Sequence, residues 1–256
     1  VTDVGSVKSQ VMADVAARAD PSHLERYIGG HPMGGSERSG PDHASASILD
    51  GAVWVLCPSD PVPVASVARL SAWVDKVGAR PTPMDAERHD RLVAMVSHLP
   101  QVASTALMGL AAAEEAGEPE ILLLAAGGFR DLTRLAASSP HRWSEILLAN
   151  GDAIVRAVDL YIERLTRLRT LIGQREAGEV ERAFGDAKQA RLSLAAKPQV
   201  KAGVAVLQVP VPDRDLAAAA RRVDAGDRMV QGLMTMEKPR GVVFGGFLSE
   251  EECDGL

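Results

Sequence analysis

The chain has only two cysteines, Cys57 and Cys253, far apart and without the spacing of a metal or redox site. They suit a reducing compartment in which thiols stay buried or idle, so neither a disulfide framework nor a metal site is expected. Aromatic residues are scarce, at 4%. No run of Lys and Arg is interleaved with them, which argues against a nucleic-acid groove or an anionic membrane surface as partner. No uninterrupted apolar stretch approaches the roughly 20 residues of a membrane helix, and no basic region followed by an apolar one opens the chain, so a cytoplasmic location is expected. The patterns GxGxxG, GxxxxGK[ST], HExxH and GxSxG are missing as well. Their absence removes direct support for a phosphate loop, zincin chemistry or an α/β-hydrolase nucleophile. The net charge of -6 is mild and leaves room for a small anionic ligand held by local arginines.

What is present begins abruptly. Val1-Thr2-Asp3-Val4 reads as the end of a buried strand with no turn before it, as if the chain started in mid-fold. Ser9 is placed to cap a helix through about Arg18, with Val7, Val11, Met12 and Val15 on one face. Tyr27-Ile28-Gly29-Gly30 reads as a short strand leading into a glycine-rich loop that holds His31-Pro32-Met33-Gly34-Gly35. A further apolar run from Ala52 to Cys57 stops at Pro58, Pro63 to Val77 is an amphipathic helix, and Gly78 to Met84 is the next strand. Strands alternating with helices predict a parallel α/β sheet over residues 1-84.

From Asp85 the pattern is all-helical through residue 196. Arg91 to Glu115 forms one long helix that Pro100 should kink, and Pro140 after Ser139 marks another helix start. Ile154, Val158, Tyr161, Leu165, Leu168 and Ile172 have the spacing of a packed seam. Spacing alone favours a bundle core over a subunit interface for that seam. Residues 197-256 form a third unit, with Gly203 to Val209 alternating like a strand, an Ala-rich helix from about Leu216, and a last strand within Gly241 to Leu248.

Two loops follow predicted strands, at Gly5-Ser6 and at His31-Pro32, and ligands of open parallel sheets sit at such strand ends. His31 taken alone is more often a plain loop histidine, and Ser6 a helix cap. Arg130 and Arg134, spaced to share a helix face, suit a carboxylate because each guanidinium donates two parallel hydrogen bonds. A solvated helix face with Asp131 as local partner is the plainer reading. His98, on the apolar helix beside Pro100, has the setting of a core histidine.

The ordered set Thr2-Asp3-Val4-Gly5-Ser6-Val7-Lys8, His31-Pro32-Met33-Gly34-Gly35, Ser97-His98-Leu99-Pro100 and Gly127-Gly128-Phe129-Arg130-Asp131-Leu132-Thr133-Arg134 is similar to the prephenate/arogenate dehydrogenase family. Ser138-Ser139-Pro140 followed by Trp143 extends the likeness. The resemblance implies the C-terminal part of a Rossmann-type domain, then a helical domain like that of 6-phosphogluconate dehydrogenases through which the family forms homodimers. It implies NAD or NADP as cofactor and oxidative decarboxylation of prephenate or arogenate on the way to tyrosine. It makes His31 the catalytic histidine, Ser6 the serine that orients it and touches the cofactor, and Arg134 the arginine that grips the ring carboxylate. Arg130, Gln101, His98 and Ser36 are implied around the substrate, and Gly5 and Pro32 beside the cofactor. Gln101 stands where many members carry a histidine, which leaves keto-acid and amino-acid substrates equally open. The family's glycine-rich turn is not in these residues, so alone they are expected to bind the dinucleotide poorly. A shortened, non-catalytic dimerisation or regulatory protein is the rival reading. From Val200 the tail resembles the start of a small ACT-like regulatory unit, although Asp213-Arg214-Asp215-Leu216 lacks the Pro-Gly expected after Asp-Arg.

Overall fold

The computed structural model describes residues 1–34 and 45–196, together with three strands between 205 and 246. The first part runs α1 (Ser9–Arg18), α2 (Pro21–Leu24), β1 (Gly29–Pro32), a 3-10 turn (Ala46–Leu49), β2 (Val53–Cys57), α3 (Val64–Lys76) and β3 (Arg80–Pro83). Its sheet has the order β1-β2-β3. The central strand β2 buries Trp54, Val55, Leu56 and Cys57, as a near-continuous apolar run should when both faces are covered. Helix α3 buries Val64, Val67, Ser71 and Val74, the stripe of an amphipathic helix. Together with Ile28, Val62 and Ala79, the three valines of α3 form the core against Trp54 and Leu56. The helix ends at Gly78, whose φ of 85° is a left-handed conformation open to glycine. The amide of Gly78 donates to the Asp75 carbonyl and that of Ala79 to the Val74 carbonyl, closing the helix end.

The sheet differs from the expected parallel one. β2 and β3 are parallel, but β1 runs antiparallel to β2, with His31 opposite Val55 and Pro32 opposite Trp54. No crossover helix lies between β1 and β2 in the described residues, and an antiparallel return does not need one. The strand also starts two residues later than the sequence suggested, so His31 and Pro32 lie on it rather than in the loop beyond. Val1 to Val4 is not a buried strand end, since Val1 is 90% exposed and only Thr2 bridges to Ile28. Ser9 is the first residue of α1 and not its cap. The groups of α1 that need capping are satisfied from elsewhere, as described below.

The helical part comprises α4 (Ala86–Val93), a π turn (Ala94–His98), α5 (Leu99–Glu114), α6 (Glu120–Leu123), α7 (Gly127–Thr133), a 3-10 turn (Arg134–Ala137), α8 (Pro140–Ala149), α9 (Gly151–Gly173) and α10 (Ala177–Ala196). Asp85 caps α4 by accepting from the Arg88 amide. The helix continues through Pro100, where a kink was expected, and widens into a π turn just upstream. Proline has no N–H and its ring crowds the carbonyl four residues back, Val96, which lies inside that widened turn. By length and composition the continuous helix Ala86–Glu114 is apolar enough to cross a membrane, yet it buries His89, Asp90, His98, Gln101 and Ser104, the marks of a helix inside a protein core. Ala94 packs against Ile154 and Ala157 of α9, flanked by Leu99, Val102 and Val158.

The α9 seam is not a closed core. Ile154 is buried, but Tyr161, Leu165 and Ile172 are 39%, 47% and 63% exposed, so among the described residues the seam is covered mainly at its start, with Leu168 half-buried further along. Beyond α10 lie β4 (Ala205–Val209), β5 (Val230–Gly232) and β6 (Val242–Gly246), an antiparallel sheet of order β4-β6-β5. The Ala-rich helix expected from Leu216 lies outside the described residues.

Two adjacent glycines test the packing of β1. A methyl group on Gly30 would collide with the Asp3 carbonyl and the Thr2 hydroxyl, whereas one on Gly29 meets the flexible end of Met12, with Sδ at 2.9 Å. Gly30→Ala should therefore cost about 1–3 kcal/mol, the usual range for overpacking, and Gly29→Ala clearly less. Urea unfolding of the two variants measures the difference, and equal losses would contradict the geometry.

Candidate active site

The site is organised by Asp90, in the second turn of α4. Its Oδ1 accepts from the Lys8 amide and its Oδ2 from the Ser9 amide, both at 2.8 Å, so a carboxylate from 81 to 82 residues away caps the N-terminus of α1. The Ser9 hydroxyl, displaced from that duty, is buried without a hydrogen-bond partner among the described residues. Oδ1 also accepts from His89 Nδ1 at 2.8 Å. Burial by itself would raise the Asp90 carboxyl, but the hydrogen bonds from His89, Ser9 and Lys8 outweigh it and hold the group below the usual carboxylate range.

His31, near the end of β1, meets this cluster: its Nδ1 lies 2.8 Å from His89 Nε2. An ionised Asp90 can only accept, so a proton sits on His89 Nδ1 facing it; a neutral His89 then presents a bare Nε2, to which His31 Nδ1–H donates. The lone pair of His31 Nε2 is left uncommitted by this network. Burial lowers His31 to about 4, and the fields of His89, Lys8 and His98 push the same way, so the imidazole is neutral near pH 7.

The strand beneath it is clamped. The ammonium of Lys8, fully buried, pairs with Asp3 and donates to the Gly30 carbonyl at 2.6 Å. Asp3 also accepts from Tyr27 Oη at 2.6 Å, the Gly5 amide at 2.7 Å and the Gly30 amide at 3.1 Å. Burial and the adjoining Asp3 carboxylate together push the Tyr27 phenol well above its ordinary value. Ser6 lies in the turn between these anchors, half-buried. Its hydroxyl makes no hydrogen bond to His31, whose partner is His89 instead.

His98 is buried behind this cluster. Asn150 Nδ2 donates to the Asp90 carbonyl at 2.8 Å and contacts His98 Nδ1 at 3.2 Å. The His98 ring sits edge-on to Trp143, with centroids 5.9 Å apart. Burial lowers His98 to about 4. Gln101 belongs to a second group. Its Nε2 donates to the Leu135 carbonyl at 2.8 Å, and Ser104 Oγ accepts from the Ala136 amide at 3.1 Å, so α5 holds the turn that opens with Arg134. The other end of the Gln101 amide, Oε1, is buried and unpartnered among the described residues. Arg130 and Arg134 are both exposed but do not share one α-helix, because α7 stops at Thr133 and Arg134 begins the tighter 3-10 turn.

Of the residues singled out from sequence, His31, Gly5, Ser6 and Pro32 gather at the sheet end, with His98 behind them. Arg130, Arg134 and Gln101 gather along α5 and α7, and Ser36 lies outside the described residues. Sequence reasoning missed His89, Asp90, Lys8 and Asn150. Arg88-His89-Asp90-Arg91 reads as a solvated charged stretch, and only its position one turn inside a helix capped by Asp85 hinted at a buried face.

Comparison with known proteins agrees with this layout. Residues 1–82 match the model for the prephenate dehydrogenase nucleotide-binding domain, and residues 85–186 that for the prephenate dehydrogenase dimerization domain. The chain is 33% identical over 195 residues to cyclohexadienyl dehydrogenase of Zymomonas mobilis, which covers 76% of this chain and 66% of that protein. It is 36% identical over 215 residues to prephenate dehydrogenase of Bacillus subtilis, covering 83% and 57%. Among solved structures, Synechocystis arogenate dehydrogenase superposes with a TM-score of 0.64 at 30% identity, covering 76% of this chain and 69% of that one. Prephenate dehydrogenase from A. aeolicus in complex with hydroxyphenyl propionate and NAD+ gives 0.70 at 28%, covering 76% and 66%. The chain belongs to the prephenate dehydrogenase family, with a Rossmann-like nucleotide-binding part followed by a helical dimerization domain. It spans 66% and 57% of the length of those two curated relatives.

The two lowered histidines make stability depend on pH. In the unfolded chain each takes up a proton near its ordinary value of 6.5, but in the fold only near 4. Between those values the unfolded state binds more protons, so stability rises with pH across the window and is lost as pH falls through it. Asp3 and Asp90, held low in the fold, add a further loss only at more acidic pH. The thermal midpoint should fall steadily from pH 6.5 to 4, and the fall should be shallower in His98→Gln. A midpoint flat over that window in the unsubstituted protein would show that the histidines are not buried in the neutral form.

Proposed function

We propose that this protein oxidatively decarboxylates a cyclohexadienol that carries a ring carboxylate, prephenate or arogenate, with NAD or NADP as cofactor, in the formation of tyrosine in the cytoplasm. The observation that carries this reading, in a member of this family, is His31: a neutral imidazole with one nitrogen tied to His89 and the other free to meet a ligand.

The described residues fit one end of the cofactor. The half-buried Ser6 hydroxyl, without a hydrogen bond among the described residues, and the neighbouring Gly5 and Pro32 would border the nicotinamide. When bound, the nicotinamide accepts a hydride. His31 Nε2 accepts a hydrogen bond from the C4 hydroxyl and takes its proton as hydride leaves C4, so that C4 becomes a carbonyl. The bond from ring to carboxylate then breaks, its electrons flow through the ring to the C4 oxygen, and carbon dioxide leaves an aromatic ring. His31 returns the proton to the phenolate oxygen. Arg134, on the turn that Gln101 and Ser104 fix, holds the ring carboxylate until that bond breaks. Gln101 spends its amide N–H on the Leu135 carbonyl, so its part in this reading is to set that turn. The partly uncovered α9 seam supports a homodimer formed through the helical domain. The antiparallel sheet of β4, β5 and β6 supports reading residues 197-256 as a small regulatory unit.

Steady-state kinetics test the assignments. His31→Asn should lower kcat by about 10²- to 10⁴-fold, the usual range for a lost general base, with a smaller change in substrate binding. Survival of most of the turnover would remove His31 from that role. Arg134→Gln should raise KM while kcat changes less, because the carboxylate is held in ground state and transition state alike. Arg130→Gln should do less, and equal minor effects at both arginines would place the anion site elsewhere.

A further inference from the structure

His89 has no role in the reaction as described so far, yet it holds the ring that does the chemistry. Its imidazole is 1% exposed and that of His31 meets it edge to face, with centroids 5.0 Å apart. Both of its nitrogens are committed at 2.8 Å, Nε2 to His31 and Nδ1 to Asp90. The far end of this chain is immobile, because the Asp90 carboxylate is also bound by the Lys8 and Ser9 amides. We propose that His89 is the positioning residue of the site: it fixes His31 in the Nδ1–H tautomer, with Nε2 as the basic nitrogen, and links the charge that His31 acquires to the Asp90 carboxylate. This rests on the reading of His31 as the base.

Two physical arguments support the assignment. A free imidazole favours the Nε2–H tautomer, in which the basic nitrogen of His31 would be the one turned toward His89 and away from any ligand. An acceptor at Nδ1 reverses that preference, as buried carboxylates and carbonyls do for other functional histidines. The second argument concerns charge. The groups around His31 are Lys8 and Asp3 from the first turns of the chain, His89 and Asp90 from α4, and His98 from the π turn. The Lys8 ammonium is matched by Asp3, so among the described residues Asp90 is the carboxylate left to stabilise an imidazolium at His31, and His89 joins the two. No proton need leave His31: the one taken from the C4 hydroxyl stays on Nε2 until it is returned.

The test compares His89→Leu with His89→Gln in the whole chain. A glutamine amide can accept from His31 and donate to Asp90, so it keeps both hydrogen bonds without a titratable ring, and it guards against a result due only to misfolding. Long-range 15N–1H NMR without substrate should show His31 protonated on Nδ1 in the unsubstituted protein and in His89→Gln, and on Nε2 in His89→Leu. In turnover, His89→Leu should lower kcat by about 10- to 100-fold, the range seen when a partner that orients a functional histidine is removed, with KM little changed, and His89→Gln should recover most of that loss. His31 protonated on Nε2 in the unsubstituted protein would overturn the proposal, as would a tautomer indifferent to His89→Leu or a glutamine variant no more active than the leucine one. The NMR comparison needs no turnover. If His31→Asn retained activity, the proposed reaction would fail, while the tautomer result would still decide whether His89 fixes His31.

Discussion

A carboxylate taken out of water must be given donors, and the three that Asp90 receives decide where the neighbouring elements lie. Two are backbone amides at the start of α1, groups that no helix can satisfy internally. The third is the ring of His89, which in turn meets His31 on β1. The backbone carbonyl of Asp90 takes a fourth hydrogen bond from Asn150, beside α9. One residue thus ties the sheet, the helix after it and the helical domain to a common point. A buried polar group left without partners is costly, so this arrangement holds together as a whole or not at all.

The same logic explains a buried lysine beside a site that must gain a positive charge. Lys8 would be intolerable there alone, but Asp3 neutralises it and the Gly30 carbonyl takes another of its hydrogens. Asp3 also binds the Gly30 amide, so one ion pair grips both the N–H and the carbonyl of the residue just before His31. Gly30 can have no side chain because the backbone of Asp3 lies where a Cβ would go. The ion pair positions rather than simply stabilises, which is the more secure interpretation of a buried pair given the cost of desolvating it.

Much of this was readable from local pattern, because local pattern is what the sequence states directly. The run from Val53 to Cys57, the amphipathic stretch of α3 and the proline start of α8 needed only periodicity and punctuation, and the structure has each of them. His31 emerged from its motif. What could not be read depended on distant partners. Ser9 has the chemistry of a cap, but a carboxylate on another helix took that place. β1 turned antiparallel because strand direction follows from how the chain returns, which composition does not encode. Pro100 signalled a disturbance of the helix, which takes the form of a π turn just upstream. His89 and Asp90 stayed hidden because charged neighbours make a buried helix face look solvated.

The α9 seam is packed against its own chain along one part and open along another. Its hydrophobic spacing is that of packed helices, and spacing cannot say whether the partner is another helix of the chain or a second copy. Burial separates the two: Ile154 and Ala157 are covered from within by Ala94, while Tyr161, Leu165 and Ile172 remain open along the same helix. A row of large apolar side chains left in water is unfavourable unless something covers it, and residues 85–186 match a dimerization domain. The covered end of the seam is also the end next to Asn150, which holds the Asp90 carbonyl and contacts His98. Whatever packs against the open part of α9 therefore bears on a helix whose first residues are fastened to the site, so association and the geometry around His31 share a rigid element.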